Sequence, residues 1–165
     1  MKKLILMVLL ALPVSLFAQK FAHVNSATII QSMPEYTAAQ NDLQTLSKQY
    51  EDELKRMQDE LQTKSDDFEK NQATMPDAVK QRRQQELNDL YQRMQQYYQT
   101  SQQEIQQAQQ TKMGEISDKV TKAIKEVGVA GGYVYIMDVT SGIPYISETL
   151  STDVTSQVKA KLGLK

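Results

Sequence analysis

Residues 43–68 read LQTLSKQYEDELKRMQDELQTKSDDF. The positions that matter are Leu43, Leu46, Tyr50, Leu54, Met57, Leu61, Ser65 and Phe68. They are spaced by steps of three and four, so that eleven residues complete three turns. Side chains at that spacing share one face of a helix. The stripe is narrow, and the other faces carry Gln, Lys, Glu and Asp. That pattern is a coiled-coil seam rather than the broad apolar face of a globular helix.

The same rule returns further along the chain. Val79, Leu87, Leu90, Met94, Tyr98, Ser101 and Ile105 continue into Met113, Ile116, Val120, Ile124 and Val127. Between the two stripes lie Thr74, Met75, Pro76 and Asp77. Thr74 is a candidate helix cap, and Pro76 suits a first helical turn. Pro76 also disfavours helix at the residue before it, so the first helix must stop there. Residues 37–127 are therefore expected to form an antiparallel two-helix hairpin with its turn at 71–77. Folding about residue 74 sets Thr37 opposite residue 111, and the second helix overruns the first. An arm of about 36 residues is roughly 54 Å long.

Outward from the hairpin, the chain begins with Met1-Lys2-Lys3 and an apolar run over 4–17 that ends at Ala18. This has the form of a secretory signal peptide covering 1–18. The run is short for a membrane span. The chain contains no cysteine. Neither a disulfide framework nor lipid attachment at the cleavage point is then available.

Residues 19–36 supply a first strand, KFAHVN over 20–25, and a short helix over 27–31 with Ser26 as its cap. Ser32-Met33-Pro34-Glu35 has the spacing of a capping box opening the long arm. Residues 128–165 should return to β structure. Gly128 is the expected end of the second helix. YVYIMDV over 133–139 is the clearest strand, apolar on both faces and therefore expected to be covered on both. A further strand is expected over 143–147, with Pro144 at its edge. A last helix should begin at Asp153 or Thr155, carry Val154, Val158 and Leu162, and close at Gly163.

Lys and Arg number 19 against 20 Asp and Glu, a net charge of −1, and two of the basic residues lie in the leader. That balance argues against nucleic acid as a partner. His23 is the only histidine. Without cysteine or a second imidazole it is a poor metal site and reads as a strand residue against a packed body. No glycine-rich phosphate loop, nucleophile motif or pocketed carboxylate pair is present, so neither an enzyme nor a nucleotide-binding protein is indicated and no cofactor is implied. Glutamine makes up nearly half of residues 81–110. It gives a polar surface without charge.

The segments outside the hairpin are few and short, and such a body is marginal by itself. Open apolar sheet edges pair with something. Self-association is the economical solution, and Phe21, Val24, Tyr133, Val134, Tyr135, Ile136 and Met137 are the residues expected to build the oligomer body. Phe68, Met75 and Val79 near the turn, with Tyr91 and Tyr97 beside the seam, are the candidates for contact with another polypeptide. Any membrane contact should be peripheral.

The chain also resembles a known family. FAHVN at 21–25, SMPEY at 32–36, EVGVAGGYVYIMDVTSGIPY at 126–145 and DVTSQVKAKL at 153–162 follow the order of the Skp (OmpH-like) periplasmic chaperones. The resemblance implies an α+β fold, with long coiled-coil arms on a small β body that assembles as a homotrimer. It implies a periplasmic, ATP-independent holdase that keeps unfolded outer-membrane polypeptides between its arms. The alternative is a structural coiled-coil adaptor or spacer of the cell envelope. The charge at the turn departs from the resemblance. Familiar relatives are strongly basic with positive arm tips. Here Lys64, Lys70, Lys80, Arg82 and Arg83 are set against Asp66, Asp67, Glu69 and Asp77. Electrostatic capture should be weaker, and no lipopolysaccharide site is carried over.

Overall fold

The computed structural model describes residues 19–164. The leader expected over 1–18 lies outside them. The described elements run β1 (Lys20–Val24), α1 (Ser26–Gln31), α2 (Pro34–Asn71), α3 (Asp77–Gly131), β2 (Tyr133–Asp138), a 3-10 turn (Val139–Ser141), β3 (Ser151–Asp153) and α4 (Thr155–Lys161). They fall into two units. The arm is Met33–Asp118, and the body is the chain up to Ser32 together with the chain from Lys119 onward.

In the arm, α2 and α3 pair antiparallel. Lys112 Nζ meets the Asp42 carboxylate at 2.6 Å, and the Tyr50 ring meets Tyr97 with centroids 5.8 Å apart. The first-helix stripe, Leu43 through Phe68, is half-buried throughout, as a two-helix seam must be. Between residues 40 and 115 only Leu90 and Ser101 are buried among the described residues. The Ser101 hydroxyl donates to the Tyr98 carbonyl at 2.8 Å, which satisfies its burial.

Three caps differ from the sequence expectation. Asn25, not Ser26, caps α1: its side-chain oxygen accepts from the Thr28 N–H at 3.0 Å. Ser32 does not open α2, because its hydroxyl donates back to the Thr28 carbonyl at 2.7 Å. Met33 is extended, as a residue before proline prefers to be, and Pro34 starts the helix. Thr74 likewise donates to the Asn71 carbonyl at 3.0 Å, closing α2 rather than capping α3. The Pro76 carbonyl accepts the first α3 amides, Val79 and Lys80. Among the described residues no helix is long and apolar enough to cross a membrane.

In the body, three strands form one sheet in the order β2-β1-β3, with both neighbours parallel to β1. Ala22 and Val24 are buried and Phe21 and His23 are half-buried, which is the period-two alternation of a strand with one covered face. Ile29, Val154 and Val158 are fully buried and anchor the core. α1 packs on α4 and on the 3-10 turn. Glu126 and Lys161 tie the end of α3 to α4 at 2.8 Å.

The strand expected over 143–147 does not form. Pro144 has no backbone N–H to give a ladder, whereas the segment that does pair with β1, Ser151–Asp153, has one at every residue. Gly128 does not end α3. The helix continues to Gly131, and Gly132 takes the left-handed turn at φ 64° that releases the chain into β2. β2 stops at Asp138, with Val139 already in the 3-10 turn. Nor is β2 covered on both faces within one chain: Val134 is 59% exposed.

Candidate functional site

Two surfaces gather the residues singled out above. The first is on the body. Register pairs Phe21 with Tyr135 and His23 with Met137, so these four share a sheet face. Phe21 and Tyr135 stack at 4.9 Å. The loop before β3 adds Tyr145 and Leu150, 79% and 75% exposed, around a cavity of about 210 Å³. Leu150 sits alone with no periodicity to mark it, and Tyr145 falls in the segment expected as a strand over 143–147. Val24 is different. It lies on the covered face, in the protomer's own core, and cannot present a contact surface. Tyr133, Val134 and Ile136 border a second, open hollow of about 500 Å³ beside Gly128 and Val129.

Polar groups pin this sheet. The Ser26 hydroxyl donates to Asp138 at 2.5 Å, and the Thr140 N–H donates to the same carboxylate at 3.1 Å. Burial pushes the Asp138 carboxyl up, but these hydrogen bonds together hold it below its ordinary value. Asp153 is balanced the same way, with burial opposed by donation from Thr155 and by the nearby His23. His23 Nδ1 lies 2.9 Å from the Ser151 hydroxyl, a bond across β1 and β3. Among the described residues no group of His, Cys, Asp or Glu could hold a metal.

The second surface is on the arm. Tyr91 is 49% exposed. Tyr97 is not beside the seam but in it, half-buried edge-on to Tyr50. Tyr98, expected in the seam, is 54% exposed. The Tyr50 hydroxyl donates to Glu104, and that bond holds the phenol above its ordinary pKa. Tyr91 and Tyr98 flank an open groove of about 600 Å³ whose floor includes Leu54 and Met94 and whose rim is Gln58, Gln95 and Gln99. No charged side chain is among its lining residues.

Phe68 sits nearer the turn, in a smaller and more enclosed hollow of about 200 Å³. Leu87 joins it there, among Lys64, Asp67, Arg83 and Glu86. Arg83 and Glu86 are paired at 3.1 Å. Met75 and Val79 are half-buried at the turn. The arrangement supplies adaptable apolar contact.

A family profile described as "Outer membrane protein (OmpH-like)" matches residues 20–162. No curated protein matches the chain. Among solved structures, the crystal structure of a protein described as an outer membrane chaperone (OmpH-like), from Caulobacter crescentus, superposes with a TM-score of 0.75. It is 17% identical, and the likeness covers 87% of this chain and 83% of that one. At that identity the likeness speaks for the fold alone.

Proposed function

Because the chain belongs to the OmpH-like (Skp) family of periplasmic chaperones, whose members are not enzymes, we propose that it is an ATP-independent holdase for unfolded outer-membrane polypeptides. The observation that carries this reading is the exposed Tyr91–Tyr98 groove on an otherwise polar arm. A half-exposed tyrosine offers a large amphipathic contact with few rotors to freeze. Phe68, Met75 and Val79 add weaker contacts toward the turn, where methionine adapts to many shapes.

The body supports a second part of the reading. Phe21, Tyr135, Met137, Tyr145 and Leu150 leave an apolar sheet face open in one chain. Covering it with further copies gives a homotrimer, and several arms acting at once convert weak contacts into useful avidity. The leader would be removed on export, placing the chain in the periplasm. Release follows client folding or transfer, with no nucleotide cycle.

The test is suppression of aggregation of two unrelated unfolded outer-membrane proteins without ATP, alongside light scattering for the oligomer. Suppression of both by a trimer is expected. A stable folded monomer at micromolar concentration contradicts the assembly. Failure with every client favours the adaptor reading.

A further inference from the structure

We infer that the Tyr91–Tyr98 groove determines client specificity, taking uncharged, extended polypeptide segments with aromatic or branched aliphatic side chains and disfavouring acidic ones. The inference rests on the holdase reading above. It comes from a contrast between two hollows on one arm. The smaller, around Phe68, is ringed by Lys64, Asp67, Arg83 and Glu86. The larger has no charged lining, although charged residues make up 24% of the chain.

The uncharged lining decides what fits. An acidic segment lying in the open groove would lose part of its hydration and find no cation among the lining residues in return. An uncharged segment has no such loss. Gln58, Gln95 and Gln99 each carry a carbonyl acceptor and an amide donor. An extended backbone offers one N–H and one C=O per residue, so these amides can serve it in many registers. Leu54 and Met94 form an apolar floor for side chains, between the two exposed tyrosine rings. A neutral glycan could also meet aromatic rings and amides. The apolar floor favours polypeptide, because sugar hydroxyls find no partner on Leu or Met. Contacts of this kind are also not screened by salt, unlike exposed ion pairs.

The experiment uses the full chain as exported and three labelled peptides of equal length, read by fluorescence anisotropy. One alternates Tyr or Val with Ser or Thr. The others replace the Ser and Thr positions with Asp or with Lys. The uncharged peptide should bind with an affinity that moves less than about twofold between roughly 50 and 500 mM salt. The Asp peptide should bind about tenfold more weakly, the loss of one desolvated partner. Tyr91→Gln with Tyr98→Gln keeps good helix formers at exposed positions and should weaken the uncharged peptide by about tenfold. Gln95→Lys should recover the Asp peptide and make its binding fall with salt. Preferred, salt-sensitive binding of the Asp peptide by the unaltered protein would overturn the inference. So would unchanged binding in the double variant with its helix content intact, or displacement of the uncharged peptide by a neutral oligosaccharide such as maltohexaose. Peptide selectivity without suppression of aggregation supports the groove and rejects the holdase; suppression without peptide selectivity does the reverse.

Discussion

The body and the arm are built from similar residues at very different depths. In the body, Ile29, Val154 and Val158 reach zero exposure, drawn from segments far apart in sequence. Each such side chain contributes about 1.5–3 kcal/mol by leaving water. In the arm most of the seam is only half-buried, with Leu90 and Ser101 the exceptions between residues 40 and 115. Depth of burial therefore separates the unit that supplies stability from the unit that can engage a partner. A body held by long-range contacts should unfold as a whole. An arm held by a repeated local contact should open turn by turn, and Tyr91 and Tyr98 stay exposed outside its seam.

Ile29→Asp tests this separation most severely. It places an unpaired charge in the tightest part of the body and should cost about 4 kcal/mol or more. Circular dichroism melts should lose the body transition. A wild-type melt from this variant would show that the body core is not what holds it. Leu90→Ala is the matching change in the arm, at its one buried leucine between residues 40 and 115. Its cost should be about 2–3 kcal/mol and local. Amide exchange should rise over 80–100 and stay slow in β1; faster exchange in both would mean the units unfold together.

Asp138 gives a pH test of the body. Burial pushes its carboxyl up, but donation from Ser26 and Thr140 together holds it below the ordinary value of 3.8. A lowered folded pKa contributes stability that is fully present above 3.8 and is lost as pH falls through the folded value. Asp138→Asn should flatten the stability-against-pH curve of the body in that window. The change should be at most about 1 kcal/mol, since solvent screens a carboxylate that is only partly buried. An unaltered curve would place the acid sensitivity elsewhere. The smallest effect is expected at Gly114, an exposed position inside α3 where an added Cβ would touch nothing within 4 Å. Gly114→Ala should stabilise the arm helix by about 0.5–1 kcal/mol, read as slower exchange around 110–118. No gain would show that the helix is already limited by its partner.

The arm tyrosines mark the limit of periodicity. From Met94 and Ser101, both Tyr97 and Tyr98 obey the steps of three and four. Spacing alone cannot choose between them. Tyr50 on the facing helix does, by taking Tyr97 as its edge-on neighbour. The candidate groove is half legible in the sequence for that reason: Tyr91 stands out, whereas spacing puts Tyr98 in the seam and the facing helix turns it out. The caps carry the same lesson. Ser26, Ser32 and Thr74 each stand where a cap could be, but each hydroxyl has a nearer partner in Asp138, Thr28 or Asn71.

Much of what has a local cause is legible along the chain, the caps at Ser32 and Thr74 excepted. The two seams, the turn at Pro76, β1 and β2 follow from spacing and backbone chemistry that sequence neighbours supply. The remaining features needed segments to meet in space. Ser151 and Asp153 have little strand propensity, and their segment becomes β3 because β1 offers it a ladder. Val24 enters the core, and Tyr135 and Met137 stay outside, because the fold covers one sheet face and leaves the other open in a single chain. A helix makes its hydrogen bonds within itself, so its pattern is written in one segment; a strand's ladder partners and the walls of a surface groove come only from a second segment.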